Sequence, residues 1–321
     1  MTFALEALEA AAAIVHETLA PTAAIAWPLL AERCGCTVVV KHENHTPIGA
    51  FKVRGGLAYM AELARGRRPP AGVIAATRGN HGQSVAFAAR AHGLASVVVV
   101  PHGNAQSKNR AMRALGAELI ETGHDFQAAL EATDAIARER GLHFVASFHP
   151  TLVKGVASYA LELFRAAPDL DAVYVPIGLG SGICGVIAAR DALGLKAEVI
   201  GVVAANAPAY ARSFARRAPV STNAADTLAD GMACRVPVAE AVAMINQGAA
   251  RVVTVTEDEL LAAIAAIFDD THNLAEGAGA APLAALLKER VAMAGKHVGL
   301  ILSGGNLDRA LHVRALATPV C

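Results

Sequence analysis

The chain has 321 residues, of which 54% are hydrophobic and 17% charged, with 28 basic and 28 acidic side chains. This length and composition indicate a globular protein of one large or two ordinary domains, and the balanced charge favours neither nucleic acid nor a membrane surface as a partner. The apolar runs are shorter than the roughly 18 residues of a membrane span. There is no signal-peptide pattern, and the five scattered cysteines predict no disulfide framework. We therefore expect a cytoplasmic protein that acts on a small molecule.

Strand and helix patterns alternate through the first half of the chain. An N-terminal helix over residues 2–19 is followed by a strand at 38–40 and a helix from Arg54 to Arg65. The next predicted strands and helices cover residues 73–76, 84–92, 95–101, 107–115, 118–120, 126–140 and 143–146. Alternating elements with short links are typical of a parallel sheet covered by helices.

The second half continues the alternation. Its predicted elements are a helix at 152–164, a strand at 172–177, a helix at 183–193, and strands at 197–203, 252–255 and 297–302. Residues 206–236 form a looser polar stretch. Thr256 has the position of a helix N-cap, because three acidic residues follow it in what would be the first turn. The whole pattern predicts an α/β fold.

One stretch places a lysine among glycines. Residues 46–56 are Thr-Pro-Ile-Gly-Ala-Phe-Lys-Val-Arg-Gly-Gly, and the lysine is Lys52. Glycines let the backbone approach a ligand closely, and a lysine removed from water has a lowered pKa and becomes a nucleophile. Such lysines form Schiff bases with carbonyl compounds, including pyridoxal phosphate. On this stretch alone, a solvated lysine at the start of a surface helix stays open as the alternative.

Residues 178–182, Gly-Leu-Gly-Ser-Gly, connect a predicted strand to a predicted helix. A turn of this kind directs free backbone N–H groups and the positive end of a helix toward an anion, usually a phosphate. A dinucleotide site would require an acidic residue about 20 positions on, at the end of the next strand. That strand ends in Val-Val-Ala-Ala-Asn at residues 202–206. A phosphate monoester therefore fits better than NAD, and a turn that only permits tight packing is the alternative.

Two further polar segments follow predicted strands. Residues 79–83, Gly-Asn-His-Gly-Gln, combine polar side chains with exposed backbone N–H groups, a set that can hold a carboxylate or a phenolic oxygen. Residues 303–306, Ser-Gly-Gly-Asn, occupy the equivalent position after the last predicted strand. The carboxyl ends of strands are where α/β proteins bind ligands, although either segment alone is compatible with ordinary turn chemistry.

Together these segments resemble the fold-type II pyridoxal-phosphate enzymes, most closely the serine/threonine dehydratase branch that also contains serine racemase. The resemblance covers roughly Val38 to Asp308, and it is specific because several separate motifs recur in the same order. It implies a two-domain α/β fold like that of the tryptophan synthase β subunit, with parallel-rich sheets covered by helices. Residues 1–71 and 149–321 would form a discontinuous large cofactor-binding domain, and residues 72–148 a small inserted domain. The cofactor would lie in the cleft between them.

The resemblance implies pyridoxal 5'-phosphate as the cofactor and Lys52 as the catalytic lysine that binds it. It also implies that Asn80 meets the phenolic oxygen, that residues 178–182 hold the phosphate and that Ser303 faces the pyridine nitrogen. The implied cofactor-binding residues are Phe51, Lys52, Asn80, Gly178, Leu179, Gly180, Ser181, Gly182, Glu276 and Ser303. The implied substrate-binding residues are Thr77, Arg78, Asn80, His81, Gly82 and Gln83.

The implied activity is that of a dehydratase, or ammonia-lyase, on a β-hydroxy-α-amino acid such as threonine, serine, hydroxyaspartate or phenylserine. Lys52 would remove the α-proton, and the products would be a 2-oxo acid and ammonia. A neutral Ser303 would not hold the pyridine nitrogen protonated, which favours expulsion of the β-hydroxyl group. An amino-acid racemase or β-replacement enzyme on the same scaffold is the alternative, and a non-catalytic ligand-binding protein is a third hypothesis. The chain ends soon after Ser303, so we expect no feedback through a C-terminal regulatory domain.

Three expectations concern details within the resemblance. Arg78 occupies the position of the racemase serine that protonates the opposite face, so we expect weak or absent racemisation. Arg78 would instead bind a substrate side chain or carboxylate, or form a structural ion pair. Asp226 and Asp230 end a segment that binds a cation in relatives; they would hold a divalent or monovalent cation or cap a helix or turn. A homodimer is implied by the resemblance alone.

Overall fold

Two sheets made mainly of parallel strands form the framework of the protein. The structure, a computed structural model, describes residues 1–124 and 126–318. The strands are β1 (Ala24–Ala26), β2 (Thr37–His42), β3 (Gly72–Ala76), β4 (Ala95–Val100), β5 (Glu118–Glu121), β6 (His143–Phe144), β7 (Ala172–Pro176), β8 (Glu198–Ala204), β9 (Ala249–Val255) and β10 (His297–Leu302). In the described residues, six strands form a large sheet in the order β1-β2-β10-β7-β8-β9, and four form a small sheet in the order β5-β4-β3-β6.

Helices cover the faces of the sheets. They are α1 (Leu5–His16), α2 (Pro28–Cys34), α3 (Lys52–Ala64), α4 (Asn80–Ala91), α5 (Gln106–Ala114), α6 (Phe126–Arg140), α7 (Pro150–Ala166), α8 (Ser181–Ala192), α9 (Ala209–Arg216), α10 (Ala239–Gly248), α11 (Glu257–Thr271), α12 (Gly277–Lys288), α13 (Arg290–Met293) and α14 (Arg309–Leu316). Glu43–His45 and Asp230–Met232 are short 3₁₀ turns. Every residue of β3 and β7 is buried, as expected for parallel strands with helices on both faces.

The order of strands places two loops of the large sheet side by side. Strand β10 lies between β2 and β7 and is parallel to both, while β1 is the antiparallel edge strand. The carboxyl ends of β7 and β10 therefore meet at one edge, and the loops that follow them are neighbours. In open α/β sheets such an edge is where ligands bind.

Helix α3 joins the two sheets. It packs against α4, which follows a strand of the small sheet, and against α7, which precedes a strand of the large sheet. The strands of the small sheet all lie between residues 72 and 144, inside the segment predicted as the small domain. The exact domain limits, 72–148 within 1–71 and 149–321, stay a prediction.

A buried cluster of charged residues anchors the first turn of α3. Arg54 and Glu43 are fully buried, and Arg54 donates to Glu43 through Nε and Nη2 at 2.7 and 3.0 Å. Its Nη1 and Nη2 also donate to Glu162 Oε1 and Oε2 at 2.6 and 2.9 Å. Lys41, also fully buried, donates to Glu162 Oε2 at 2.5 Å. Buried charges of this kind persist because each carboxylate has a cationic hydrogen-bond donor.

The sequence predicted most elements but missed several short ones. The capping box of Thr256 and Glu259 confirms the predicted start of α11. Helix α3 begins at Lys52, two residues earlier than predicted, and the segment 206–236 contains α9. Strand β1 and helices α2, α10, α13 and α14 were not predicted, because three to ten residues carry too little periodicity. Helix α12 was not predicted either, because its residues 277–286 are buried on all sides and show no amphipathic pattern. In the described chain, Cys34, Cys36, Cys184 and Cys234 are free and buried, Cys321 lies outside the described residues, and no described helix is long and apolar enough to cross a membrane.

Candidate active site

Lys52 is the first residue of α3, and its amine faces the turn of residues 178–182, which follows β7. The Lys52 Nζ atom donates to Ser181 Oγ at 3.2 Å and lies 5.1 Å from the centre of the Phe51 ring. Burial lowers the pKa of Lys52 to about 8, although the negative charge of Glu276 raises it. Far more of this amine than of an ordinary lysine is therefore unprotonated near neutral pH, which is the state that attacks a carbonyl carbon.

Backbone hydrogen bonds fix the turn before Lys52 to the loop after β10. The Phe51 N–H donates to the Ser303 carbonyl at 3.0 Å, and the Gly305 N–H donates to the Gly49 carbonyl at 2.9 Å. Gly49 has a φ of +66°, a left-handed conformation that favours glycine. These bonds keep Lys52 and Ser303 adjacent although they are far apart in the sequence.

Residues 178–182 form a tight turn from β7 into α8. Gly180 has a φ of +99°, and a Cβ at that position would lie 2.7 Å from the Ala241 Cβ. At Gly178 a Cβ would lie 2.2 Å from the Gly231 carbonyl oxygen. Gly180 requires glycine for both its dihedral angle and its packing. Gly178 requires it because the backbone of Gly231 approaches so closely.

Two buried tyrosines donate hydrogen bonds to this turn. The Tyr210 hydroxyl donates to the Leu179 carbonyl at 2.8 Å, and the Tyr159 hydroxyl donates to the Gly182 carbonyl at 3.2 Å. Both bonds are made to carbonyl groups of the turn. The backbone N–H groups remain available for another partner.

Unpaired donors in the turn fit a phosphorylated carbonyl compound. In the described chain, the backbone N–H groups of residues 178–183 make no hydrogen bond, although residues 180–183 are buried. Buried N–H groups without partners are rare in proteins, and at a helix N-terminus they are typical of phosphate sites. The Ser303 hydroxyl likewise makes no hydrogen bond with a described residue although Ser303 is buried. With the Lys52 amine adjacent, these groups fit the phosphate, aldehyde and ring of pyridoxal phosphate.

The turn between β3 and α4 brings Asn80 into the same site. The Asn80 amide donates to Glu276 Oε1 at 2.8 Å and accepts a hydrogen bond from Asn306 Nδ2 at 2.8 Å. These bonds fix the amide orientation and leave one N–H of Asn80 Nδ2 available. The backbone N–H groups of Asn80 and His81 make no hydrogen bond with another described residue. This helix start can therefore receive a carboxylate.

Other residues predicted to bind substrate lie in the same turn with different orientations. Thr77 Oγ1 accepts hydrogen bonds from the N–H groups of Gly79 and Gly82 at 3.0 and 3.3 Å, so it shapes the turn itself. The buried His81 ring donates from Nε2 to the Val145 carbonyl at 3.1 Å. Burial and the charge of Lys52 lower the pKa of His81 to about 4, which keeps the ring neutral. Any contact of His81 with substrate would therefore use its backbone N–H group.

The remaining predicted substrate residues differ in exposure. Gln83 is buried, and its N–H donates to the Gly79 carbonyl at 3.2 Å within the first turn of α4. Arg78 is exposed and makes no ion pair or hydrogen bond with another described residue. The structural ion pair considered for Arg78 is therefore absent from the part of the chain that the structure describes. Its guanidinium is free to meet a ligand.

Glu276 is a buried acid between the turn after β3 and the loop after β10. Burial raises its pKa to about 7, as does the charge of Asp230, whereas the charge of Lys108 and hydrogen bonds from Asn80 and Asn306 lower it. Its Oε1 atom would lie 2.7 Å from a Cβ at Gly304, so the glycine after Ser303 is required there. Glu276 therefore fixes Asn80 on one side and packs against the loop after β10 on the other.

The residues predicted to bind a cation have other surroundings. Asp226 is exposed, and Asp230 Oδ2 accepts a hydrogen bond from Lys108 Nζ at 2.5 Å. Among the residues described, no group of three or more His, Cys, Asp or Glu side chains could hold a metal ion. A cation at Asp226 and Asp230 stays a prediction, and the structure gives Asp230 a lysine as its partner.

Comparison with known proteins decides the family. Residues 15–304 match the family described as "Pyridoxal-phosphate dependent enzyme". The chain belongs to this family. The assignment confirms the predicted α/β fold and the predicted cofactor, and it agrees with the unpaired N–H groups at residues 178–183 and with the reactive amine of Lys52.

Three known members show how similar this enzyme is to others. It is 39% identical over 279 residues to an L-threonine ammonia-lyase of Geobacter sulfurreducens, covering 86% of this chain and 69% of the relative. It is 35% identical over 297 residues to an L-threonine ammonia-lyase of Thermotoga maritima, covering 92% of this chain and 72% of the relative. The processed form of threonine deaminase isoform 2 from Solanum lycopersicum superposes with a TM-score of 0.91 at 27% identity, covering 99% of this chain and 95% of the other.

Several residues of the site were not predicted as such. Asn306 belonged to a recognised motif, and its position three residues after Ser303 could have identified it. Lys108, Tyr159 and Tyr210 had no sequence signal, because each meets the site through a contact with a residue distant in the chain. Of the predicted cofactor residues, the structure brings Lys52, Asn80, Glu276, Ser303 and the turn 178–182 together.

Replacing Gly178 with alanine is expected to weaken cofactor binding by about 10–100-fold, because overpacking costs about 1–3 kcal/mol. The new Cβ would lie 2.2 Å from the Gly231 carbonyl oxygen, which would force the phosphate-binding turn to move. Absorbance titration of the apoenzyme with pyridoxal phosphate measures the change. Gly66→Ala is the matched control, because Gly66 is exposed and its nearest atom would lie 3.2 Å away. Equal affinities in both variants would contradict the assignment of the turn.

Proposed function

We propose that this enzyme is an ammonia-lyase that converts threonine, or another β-hydroxy-α-amino acid, to a 2-oxo acid and ammonia. The observation that carries the proposal is the Lys52 amine, with a pKa of about 8, beside the unpaired N–H groups of residues 178–183 and the neutral Ser303. The similarity to L-threonine ammonia-lyases of two organisms supports the same reaction.

Bound pyridoxal phosphate would supply an electron sink that acidifies the α-C–H bond of an attached amino acid. The residues of this chain would do the rest. The N–H groups of residues 178–183 would hold the phosphate, and those of Asn80 and His81 would hold the substrate carboxylate. Lys52 Nζ would remove the α-proton, because its lowered pKa makes it a base near neutral pH. Ser303 would offer the ring nitrogen a hydroxyl group and no negative charge.

Glu276 would act through Asn80 rather than on the substrate. Its Oε1 atom holds the Asn80 amide, which in turn presents one free N–H toward the site. The exclusion of water around these groups strengthens each of their interactions. The β-hydroxyl group would leave with one proton as water, and addition of water to the released enamine, through its imine form, would give the 2-oxo acid and ammonia.

An absorbance scan of the purified holoenzyme tests this proposal. A panel of threonine, serine, hydroxyaspartate and phenylserine would be added in turn while 2-oxo acid and ammonia are followed. We expect the band of the lysine-bound cofactor to change with one or more of them and the two products to appear in equal amounts. A spectral change without 2-oxo acid would point to racemisation, replacement or binding alone and would overturn the proposed reaction.

Because Arg78 occupies the position of the racemase serine, we expect racemisation by this enzyme to be slow. A guanidinium remains protonated throughout the useful pH range and is a poor proton donor to carbon. Chiral analysis of L-serine after incubation with the enzyme should therefore show little D-serine. We expect Arg78→Ser to raise that rate by about 100-fold, the lower range for gaining a general acid. Rapid racemisation by the unaltered enzyme would contradict this role for position 78.

We also propose that the enzyme is a cytoplasmic homodimer. The free cysteines of the described chain are typical of a reducing compartment, and the dimer rests on the resemblance to the family. Sedimentation equilibrium of the holoenzyme should give twice the mass of one chain. A mass that stays at one chain across a wide concentration range would contradict the dimer.

A further inference from the structure

Two residues in the first turn of α5 make bonds across the cleft. Helix α5 packs against α4 and β5, on the side of the small sheet. Nevertheless, Lys108 Nζ donates to Asp230 Oδ2 at 2.5 Å, and the Ser107 hydroxyl donates to Asp308 Oδ1. Asp230 begins a 3₁₀ turn between β8 and β9, and Asp308 directly precedes α14. The start of α5 is thus attached to two separate segments on the side of the large sheet.

Lys108 covers the start of the turn that receives the substrate. The residue is 9% exposed. A Cβ at Gly79 would lie 3.0 Å from Lys108 Cδ and 3.7 Å from its Nζ, so the stem of the lysine lies against the backbone of Gly79. Gly79 directly precedes Asn80 and His81, whose N–H groups are unpaired. A lysine stem can cover such a surface while its ammonium group reaches a polar partner beyond it.

Asp230 is attached to the phosphate-binding turn. The carbonyl of the next residue, Gly231, approaches Gly178 so closely that a Cβ there would lie 2.2 Å away. The ion pair therefore completes a continuous path of contacts from Gly79 through Lys108 and Asp230 to Gly178. It joins the place for the substrate carboxylate to the place for the phosphate.

We propose that Lys108 is a positioning residue whose ion pair with Asp230 closes the cleft over the bound substrate and opens once in each catalytic cycle. The Asp230 side chain is 46% exposed, and ion pairs open to water are weak enough to break and reform. Closure of such a segment excludes water and aligns reacting groups, and its opening releases product. The Ser107–Asp308 bond closes the same edge of the cleft. We call these two bonds the α5 latch.

A double-mutant cycle in the holoenzyme tests the latch. We expect Lys108→Met and Asp230→Asn each to lower kcat/KM by roughly tenfold, because misplaced groups react more slowly. The double variant should be no worse than either single one, since both remove the same bond. Hydrogen exchange of residues 79–83 and 178–182 should quicken in all three. Arg113→Met is the control, because Arg113 lies on α5 but pairs with Glu121 of the small sheet at 3.0 Å.

Additive losses in the double variant, or unchanged hydrogen exchange in Lys108→Met, would overturn the proposal. The charge-retaining variant Lys108→Arg should recover part of the loss, which a purely structural role of the stem would not require. Hydrogen exchange reports on the cleft whichever amino acid the enzyme consumes. Hydrogen exchange can therefore refute the latch without refuting the proposed reaction, and product analysis can refute the reaction without refuting the latch.

A reversible cross-link tests the opening step. The variant Ser107→Cys/Asp308→Cys would be oxidised, and its turnover compared with that of its own reduced form. We expect oxidation to remove nearly all turnover and a thiol reductant to restore it, because substrate could no longer enter the locked cleft. Equal turnover in the two forms, or no cross-link under oxidation, would overturn the proposal. The buried cysteines of the described chain favour reaction at the new pair.

Discussion

Replacing Lys52 with alanine should abolish the absorbance band of the lysine-bound cofactor and lower turnover by about 10⁴-fold, the upper range for loss of a general base. The variant loses both the amine that attaches the cofactor and the base that removes the α-proton. Absorbance of the purified protein and release of 2-oxo acid measure the two effects separately. Lys196→Ala is the control, because Lys196 is exposed in the turn between α8 and β8. Retention of the band in Lys52→Ala would show that another lysine binds the cofactor.

The lowered pKa of Lys52 adds a prediction about pH for the same residue. Attachment of the cofactor requires the neutral amine, whose fraction rises with pH and levels off above the pKa. We expect the rate at which the apoenzyme takes up pyridoxal phosphate to rise up to about pH 8, the pKa that burial gives to Lys52. An ordinary lysine has its midpoint near 10.5. A rate that continued to rise to pH 10 would mean that the amine is solvated.

Replacing Arg54 with leucine is expected to lower the free energy of unfolding by about 3–5 kcal/mol, the usual cost of removing one partner from a buried ion pair. Glu43 and Glu162 would then lose the cation that joins them, because Lys41 donates to Glu162 and to the Thr22 carbonyl but not to Glu43. Arg54→Lys should recover little, because an ammonium group cannot bond both carboxylates in the manner of a planar guanidinium. Chemical denaturation with two-state analysis measures each change.

The same helix provides the control for Arg54. Arg65, at the end of α3, pairs with Glu17 at 3.8 Å, and the two side chains are 61% and 62% exposed. Exposed pairs contribute about 0–1 kcal/mol, so Arg65→Leu should leave the unfolding curve nearly unchanged. If both variants lost the same stability, the difference between buried and exposed pairs would not explain the effect.

Features that depend on neighbours in the sequence could be predicted from it. Lys52 among its glycines and the turn at 178–182 each combine the required residue types within a few positions, and the fold follows from the alternation of strands and helices. The structure places both segments in one site. The order of the strands explains why, since β2 and β7 are both parallel neighbours of β10 and the segments that follow these three strands meet at the same edge of the sheet.

Features that depend on distant partners could not be predicted. Lys108 and Asp230 are 122 positions apart, and Arg54 and Glu162 are 108 apart. The resemblance to relatives with an acid at both ends of this segment suggested a cation at Asp226 and Asp230, but the sequence cannot show that the Lys108 ammonium group lies beside Asp230. The charged residues at positions 41, 43 and 54 gave no sign of burial, because each is paired through the tertiary fold.

Lys52 and Arg54 are two residues apart at the start of one helix, and this has a consequence for protein engineering. The wall of the pocket that carries the reactive amine is held by six hydrogen bonds from the buried Arg54 guanidinium to Glu43, Glu162, Ser158 and Thr22. Substitutions in α3 that break these bonds to make room for larger substrates would lower the stability of the fold before they widened the range of substrates. Arg78, in the turn between β3 and α4, is exposed and makes no bond with another described residue. Libraries that seek new substrates should therefore vary position 78 and leave α3 and the α5 latch unchanged.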